Sequence, residues 1–248
     1  MSGDAALSFS GGLVIRRTFV AVTRNAALFS GLGLVLVGLP LMLFTWTAAS
    51  LQGEAAGALI WWGPLLLAIP SSVLQAAIIS ATVCELTGRK ADLRGALSAA
   101  SKHTGALFLI SIIQGLATLL GAMLLLIPGL FVLTIWAVGA PARVVERGPI
   151  FEALSRSRDL TSGHRWAVLA LVLTYLLAWG GSFFATSWVL DLPIVVSSGG
   201  ARLGAAGLDS FVHMIFAVVS YAGASALYLT LRQAKEGVGP EALAKVFE

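Results

Sequence analysis

Two ionisable residues near the end of the chain, Asp209 and His213, have a spacing at which side chains can do chemistry. They are four residues apart in a largely apolar run, so on a helix they share one face and can pair. A paired carboxylate and imidazole inside a membrane could relay protons or hold a polar solute. The alternative is a structural hydrogen-bonded pair that caps a helix.

Other chemistry-bearing patterns are missing from the sequence. Cys84 is the single cysteine, which excludes an internal disulfide and a cysteine-based metal site. The three histidines are far apart and lack the spacing of metal ligands. The sequence contains no nucleophile elbow and no phosphate-binding P-loop. We therefore expect no enzymatic activity, no metal and no cofactor.

The composition is that of a membrane protein. Hydrophobic residues make up 58% of the chain and charged residues only 11%, whereas a soluble domain carries about 25% charged residues. Such a chain cannot cover its surface for water. The net charge of +4 comes from basic residues in the connections between apolar runs, as membrane topology requires, so we expect no nucleic-acid partner.

Six apolar runs are long enough to span a bilayer, which takes about 20 residues each. The uncharged stretch 105–142 is too long for one span, and Ile127–Gly129 ("IPG") is the predicted hairpin turn, covered by protein at or just below the outer surface. We expect one all-α membrane domain over residues 1–248. The predicted spans are about 26–49, 58–84, 105–126, 128–145, 165–190 and 210–231.

Lysine and arginine indicate the orientation of these spans. Of the 16 basic residues, Arg202 alone falls on one side of the predicted bundle. Because cytoplasmic loops carry the excess of cations, we expect both termini in the cytoplasm of a bacterial inner membrane. The predicted outer span ends carry tryptophans, as does one inner end, Trp166; those at the outer ends are Trp46, Trp61, Trp62 and Trp188.

Polar segments before the first, third and fifth spans predict amphipathic helices at 11–25, 91–103 and 149–162. The third segment has Pro149 at its start, Gly163 at its end and an i,i+4 pair, Glu152 and Arg156. We expect these helices to lie on the membrane surface with their cations on anionic lipid headgroups. The cations concerned are Arg16, Arg17, Arg24, Arg94, Lys102, Arg156, Arg158 and Arg165.

The stretch Leu124–Trp166, "LLLIPGLFVLTIWAVGAPARVVERGPIFEALSRSRDLTSGHRW", resembles a bacterial family. It is similar to the membrane domain attached to some glycerophosphodiester phosphodiesterases, whose stand-alone relatives are called YciC-like. The resemblance implies a structural role for the shared residues, and the missing Glu-x-Asp metal motif implies a stand-alone domain without phosphodiesterase activity. The shared residues are Pro128, Gly129, Trp136, Pro141, Glu146, Gly148, Ala153, Leu154, Arg156, Ser157, Leu160, Thr161 and Gly163.

These observations favour a non-catalytic accessory or scaffold protein that binds membrane lipids and other membrane proteins. The alternative is a carrier or channel for a small solute or lipid. Polar residues at membrane depth are few, and we expect Gln75 and Gln114 to bond between neighbouring helices rather than to line a transport pathway.

Overall fold

The computed structural model describes residues 9–51, 54–190, 192 and 199–237, and this part of the chain is helical without strands. Six helical segments in it are long and apolar enough to cross a membrane. The predicted fold class, an all-α multi-pass membrane bundle, is confirmed. The helices are α1 (Gly11–Arg24), α2 (Ala26–Gly33), α3 (Leu39–Ser50), α4 (Glu54–Leu86), α5 (Leu93–Leu124), α6 (Leu126–Ile135), α7 (Gly139–Glu146), α8 (Ile150–Thr161), α9 (Arg165–Leu190) and α10 (Gly199–Glu236).

Helix α10 is the central element of the bundle. It packs against α1, α3, α4 and α9, and every residue from Ser225 to Leu231 is buried. Small side chains such as Ala222 and Ala226, both fully buried, let neighbouring helices approach closely. Residues on α10 therefore contribute to sites at both ends of the bundle. The predicted span 210–231 covers only part of this helix.

The first span contains a wide π-helical turn, Leu34–Gly38, between α2 and α3. Pro40 has no N–H to donate to the carbonyl of Leu36, and a missing bond of this kind favours a local change of helical pitch. A Cβ at Gly33 would lie 2.9 Å from Cγ of Met214 on α10. The absence of a side chain at residue 33 therefore allows the span to lie close to the central helix.

The predicted surface helix 91–103 is not a separate element, because α5 is one continuous helix of 32 residues. Asp92 caps its start by accepting a 3.3 Å hydrogen bond from the Gly95 amide. A single glycine at 105 is too weak a breaker to divide the helix. At about 48 Å, α5 is longer than the hydrocarbon core, so its first turns extend beyond the apolar layer.

The hairpin between α5 and α6 turns at Leu125, not at the predicted Ile127–Gly129, and Pro128 lies in the first turn of α6. A Cβ on Gly121 would lie 2.9 Å from the backbone nitrogen of Gly129, so the two helices touch through their glycines. This close crossing lets the chain reverse with one non-helical residue.

The prediction that protein covers this turn is wrong for the described part of the chain. The five side chains from Met123 to Ile127 are between 68% and 80% exposed. Since the glycine contact holds the two helices together below the turn, the tip needs no covering segment. Its apolar side chains are suited to contact lipid.

The predicted span 128–145 is also divided, because α6 and α7 are separated by a break at Trp136–Val138. Three of the predicted interfacial tryptophans, Trp62, Trp166 and Trp188, are 65%, 85% and 69% exposed. The side chain of Trp61 lies outside the described residues.

Candidate functional site

Except for Arg202, the cations of the described chain collect in one layer, which we call the basic end of the bundle. It consists of α1, α7 and α8 with the end of α4, the start of α5, the start of α9 and the end of α10. Arg24 and Glu85 join α1 to α4 with a 3.1 Å ion pair. Phe9 stacks on His164, with ring centroids 5.0 Å apart. Lys245, a predicted basic-side residue, lies outside the described part of the chain.

Arg156 holds this layer together instead of facing lipid, and its carboxylate partners are not the predicted Glu152. Its Nε donates to both carboxylate oxygens of Glu146, at 2.9 and 3.1 Å, and its Nη2 donates to Glu236. Partial burial disfavours the charged form, but the bonds to Glu146 and Glu236 prevail and raise the pKa of the Arg156 guanidinium above its ordinary value. Arg156 therefore has a structural role within the protein, and its contact with a lipid headgroup stays a prediction.

Tyr228 and Arg232 extend this contact into a network. The Tyr228 hydroxyl donates to Glu146 at 2.7 Å, and Arg232 donates to Tyr228 at 3.1 Å and to Glu236 at 2.9 Å. We call these five residues the Arg156 latch. It joins α7, α8 and the end of α10, and charge-assisted hydrogen bonds of this kind are strong and geometrically specific.

Ser157 and Gln114 form hydrogen bonds with the backbone groups at the break in the fourth span. Ser157 Oγ donates to the Ile135 carbonyl at 2.9 Å and accepts from the Val138 amide at 3.2 Å. Gln114 Nε2 donates to the Trp136 carbonyl at 2.8 Å. Backbone groups freed inside an apolar layer need partners from neighbouring elements. Through Ser157, helix α8 thus supplies hydrogen bonds to the backbone of an interrupted span. This contact explains why a polar helix lies between two apolar ones.

Other residues of the family resemblance also have structural surroundings. Pro141, Ala153 and Leu154 are buried, and Leu154 lies 3.1 Å from the position of a Cβ on Gly139. Gly163 ends α8 with φ +86°, a conformation that favours glycine. These residues hold α7 and α8 in place and carry no reactive group.

Two further predicted headgroup cations are engaged inside the protein. Arg17 donates to Thr230 at 2.9 Å and to Gln233 at 2.7 Å, and burial lowers its pKa, although an arginine remains charged. The Arg165 guanidinium carbon lies 5.5 Å from the ring centroid of Phe131. The cations that remain exposed are Arg16, Arg24, Arg94, Lys102 and Arg158, although Arg24 also pairs with Glu85.

Lys102 belongs to a pocket of about 200 Å³ between the end of α4, the start of α5 and the end of α7. Arg89, Lys102 and Arg147 line it together with hydroxyl groups of Ser80 and Ser98, and no carboxylate is among its lining residues. We call it the basic pocket. Asp92, the cap of α5, is the flanking acid.

His103 is the buried member of the basic pocket. It is 8% exposed, and its Nδ1 has no hydrogen-bond partner within the described chain; the same holds for Nε of the nearby Arg143. The charges of Arg143, Arg147 and Lys102 all act on this imidazole. Buried polar atoms are nearly always paired, so these two nitrogens are exceptions, and the imidazole lies where the charges of several cations converge.

Arg147 enters the pocket from a strained backbone. Its φ is +57°, and it is the one non-glycine residue with positive φ in the described ranges. This left-handed conformation costs about 1 kcal/mol and is concentrated at functional sites. Arg147 directly follows Glu146, a member of the Arg156 latch. The latch therefore holds the residue next to Arg147 in place.

Sequence reasoning missed Arg89, His103 and Arg147 as members of one site. Arg89 and His103 come from the predicted connection between the second and third spans and Arg147 from the one between the fourth and fifth, and this separation along the chain conceals the contact. The available signal was that all three were predicted to lie on the same side of the membrane.

The structure brings Asp209 and His213 together on α10. His213 Nδ1 lies 3.0 Å from the Asp209 carbonyl oxygen and 3.4 Å from its Oδ1, and Thr186 donates to the same carboxylate at 2.9 Å. No cluster of three or more potential metal ligands occurs among the residues that the structure describes. Asp191, also a sequence candidate for a span end, falls outside them.

Comparison with known proteins finds no matching family model, no matching curated protein and no matching solved structure. The family resemblance of the stretch Leu124–Trp166 therefore stays a prediction. The function has to be inferred from the geometry of the sites.

Proposed function

We propose that this multi-pass membrane protein is a non-catalytic accessory or scaffold that binds the phosphate of an anionic lipid in its basic pocket. In this proposal the basic end and both termini face the cytoplasm of a bacterial inner membrane. The observation that carries it is a pocket lined by Arg89, Lys102 and Arg147, with no carboxylate among its lining residues. Basic pockets between spanning helices on the cytoplasmic side are suited to phosphate headgroups.

The surroundings of the pocket favour a lipid over a soluble anion. Leu93 and Leu97 lie on the same turns of α5 as the pocket residues Gly95 and Ser98, and they are 52% and 45% exposed. Exposed leucines beside a cationic pocket match a ligand with a phosphate at one end and acyl chains at the other.

The scaffold part of the proposal is supported by α9. Its lipid-accessible face exposes Leu177, Phe184 and Trp188, and the small residues Gly181 and Ala185 are exposed between them. Small residues four apart allow another helix to approach closely. This face could therefore pack against a second membrane protein.

The double substitution Lys102→Gln with Arg147→Gln, which removes two cations of the pocket, is expected to weaken binding of phosphatidylglycerol at least tenfold. Each cation near a membrane surface contributes about 1 kcal/mol to the attraction of an anionic headgroup. The attraction between cation and phosphate is stronger in a pocket, because the effective dielectric constant is lower there than in water. Lipid titration of the purified protein in detergent, read by native mass spectrometry, measures the occupancy. Phosphatidylcholine serves as the neutral comparison.

The matched control removes the same charge from two positions that do not line the pocket, Arg16→Gln with Arg158→Gln. It should retain binding within about twofold, since salt screens charges that lie away from the bound headgroup. Equal losses in both double variants would contradict the pocket and indicate diffuse attraction. Inorganic phosphate at equal concentration should not displace the lipid, and displacement would identify a soluble anion as the ligand.

The orientation is tested with an alkaline phosphatase reporter, which is active only outside the cytoplasm. Insertions after Lys90 and Gly237 should be inactive, and an insertion after Leu51 should be active. This pattern follows from the position of the basic residues. Activity after Lys90 or Gly237 would place the basic end on the opposite side.

A carrier is the second candidate function, because a cavity lies within the bundle next to His213. Uptake of a solute into liposomes that contain the protein would favour it over the scaffold. A scaffold is instead expected to co-purify with a partner in fixed stoichiometry.

A further inference from the structure

A partly open cavity between the helices of the bundle has a volume of about 430 Å³, within the range of small-molecule sites. Its walls come from the first span, α4, α9 and α10. Most of the lining is apolar or aromatic, and the polar side chains are Ser71, Tyr175, His213, Ser220 and Tyr221.

The cavity lies at the depth of the hydrocarbon layer. At about 1.5 Å per residue, Tyr221 is about 16 Å and His213 about 28 Å along α10 from Arg232 of the latch. The π-helical turn contributes Leu36 and Val37 to the opposite wall. Such turns occur often at functional sites, because the extra residue widens the helix and re-aims side chains.

His213 is a polar group of the cavity with a second ring nitrogen available to a ligand. Its Nδ1 faces Asp209, and Nε2 has no partner in the described part of the chain. Trp179 and Phe183 frame the ring edge-on, with centroids 6.2 and 6.5 Å away. Ser71, in contrast, already donates to the Leu67 carbonyl at 2.7 Å.

We propose that this cavity binds an uncharged lipid that carries a free hydroxyl group, with the hydroxyl at His213 and the hydrocarbon along the apolar wall. Diacylglycerols are the chemical class that we have in mind. The site is separate from the basic pocket, and its occupancy does not depend on the proposed binding of anionic lipid there.

The chemistry favours a hydroxyl for two reasons. A hydroxyl can donate to a bare Nε2 or accept from a protonated one, so it pairs with the ring in either state. An anionic headgroup is disfavoured, because the Asp209–His213 pair carries no net positive charge in either state of the ring and the surrounding layer is apolar.

The test compares dioctanoylglycerol with the same molecule acetylated at its hydroxyl, titrated into the purified protein and counted by native mass spectrometry. The wild type is expected to bind the hydroxyl form about fivefold more tightly, as one hydrogen bond predicts. His213→Phe keeps an aromatic ring and should remove this preference. His164→Phe, which replaces the histidine stacked on Phe9, should retain it.

Ala217→Leu narrows the cavity and provides an independent reading. It should weaken binding of both probes at least fivefold, with an unchanged oligomeric state on size-exclusion chromatography. An equal affinity of the wild type for the two probes would overturn the proposal. A preference that survives in His213→Phe, or binding unaffected by Ala217→Leu, would do the same. None of these outcomes depends on phosphatidylglycerol binding.

Discussion

Arg156→Ala is expected to lower the melting temperature of the purified protein in detergent by about 8 °C. Arg156 bonds to Glu146 and Glu236, and its loss leaves both carboxylates partly buried with fewer partners. Removing one member of such a network destabilises by about 3 kcal/mol, which corresponds to several degrees in a chain of this size. Differential scanning fluorimetry measures the shift.

Arg158→Ala is the matched control, because Arg158 is an exposed arginine on the same helix. Its melting temperature should stay within about 1 °C of the wild type. Equal melting temperatures of the Arg156→Ala and Arg158→Ala variants would contradict a stabilising role of the Arg156 latch. Since Glu146 precedes Arg147 of the basic pocket, Arg156→Ala should also reduce the occupancy of phosphatidylglycerol.

Gly121→Ala is expected to destabilise the protein by about 2 kcal/mol through overpacking. The added Cβ would lie 2.9 Å from the Gly129 nitrogen and 3.0 Å from its Cα. These are backbone atoms, so a rotamer change cannot relieve the contact and the helices of the hairpin must separate. Thermal unfolding and limited proteolysis at the hairpin measure the effect.

Gly115→Ala on the same helix gives the opposite expectation. Nothing lies within 4 Å of a Cβ at Gly115, and alanine favours a helix over glycine. The melting temperature should therefore stay the same or rise slightly. Equal destabilisation by both alanines would show that the hairpin does not depend on the Gly121–Gly129 contact.

The number of spans could be predicted from sequence because it depends on the length and charge of apolar runs, which the bilayer fixes. The amphipathic face of α8 was also predictable. Ala153, Leu154, Ser157 and Thr161 share a face by helical periodicity, and all four are buried. Such local properties need no knowledge of neighbouring helices.

Tertiary contacts decide what the sequence could not predict. Arg156 has Glu152 at the favourable i,i+4 spacing, yet it bonds to Glu146 and Glu236, which the fold brings close from other helices. The break after α6 was hidden because Ser157, in a distant helix, supplies its hydrogen bonds.

The basic pocket shows the same limit for the candidate site. Lys102 was predicted to meet lipid as part of a flat surface helix. The structure instead places it in the first turns of a long helix, beside Arg89 from the start of the same connection and Arg147 from another one. The charge of each connection is readable from sequence, whereas the concave shape that concentrates it arises from packing.

Binding of an anionic lipid in the basic pocket is tested most directly by crosslinking with a photoactivatable phosphatidylglycerol that carries its reactive group beside the phosphate. We expect peptide mapping to find adducts concentrated at 80–103 and 144–147. These adducts should decrease at least tenfold in the Lys102→Gln, Arg147→Gln variant. Adducts spread evenly over the exposed helices, or unchanged in that variant, would contradict binding in the basic pocket.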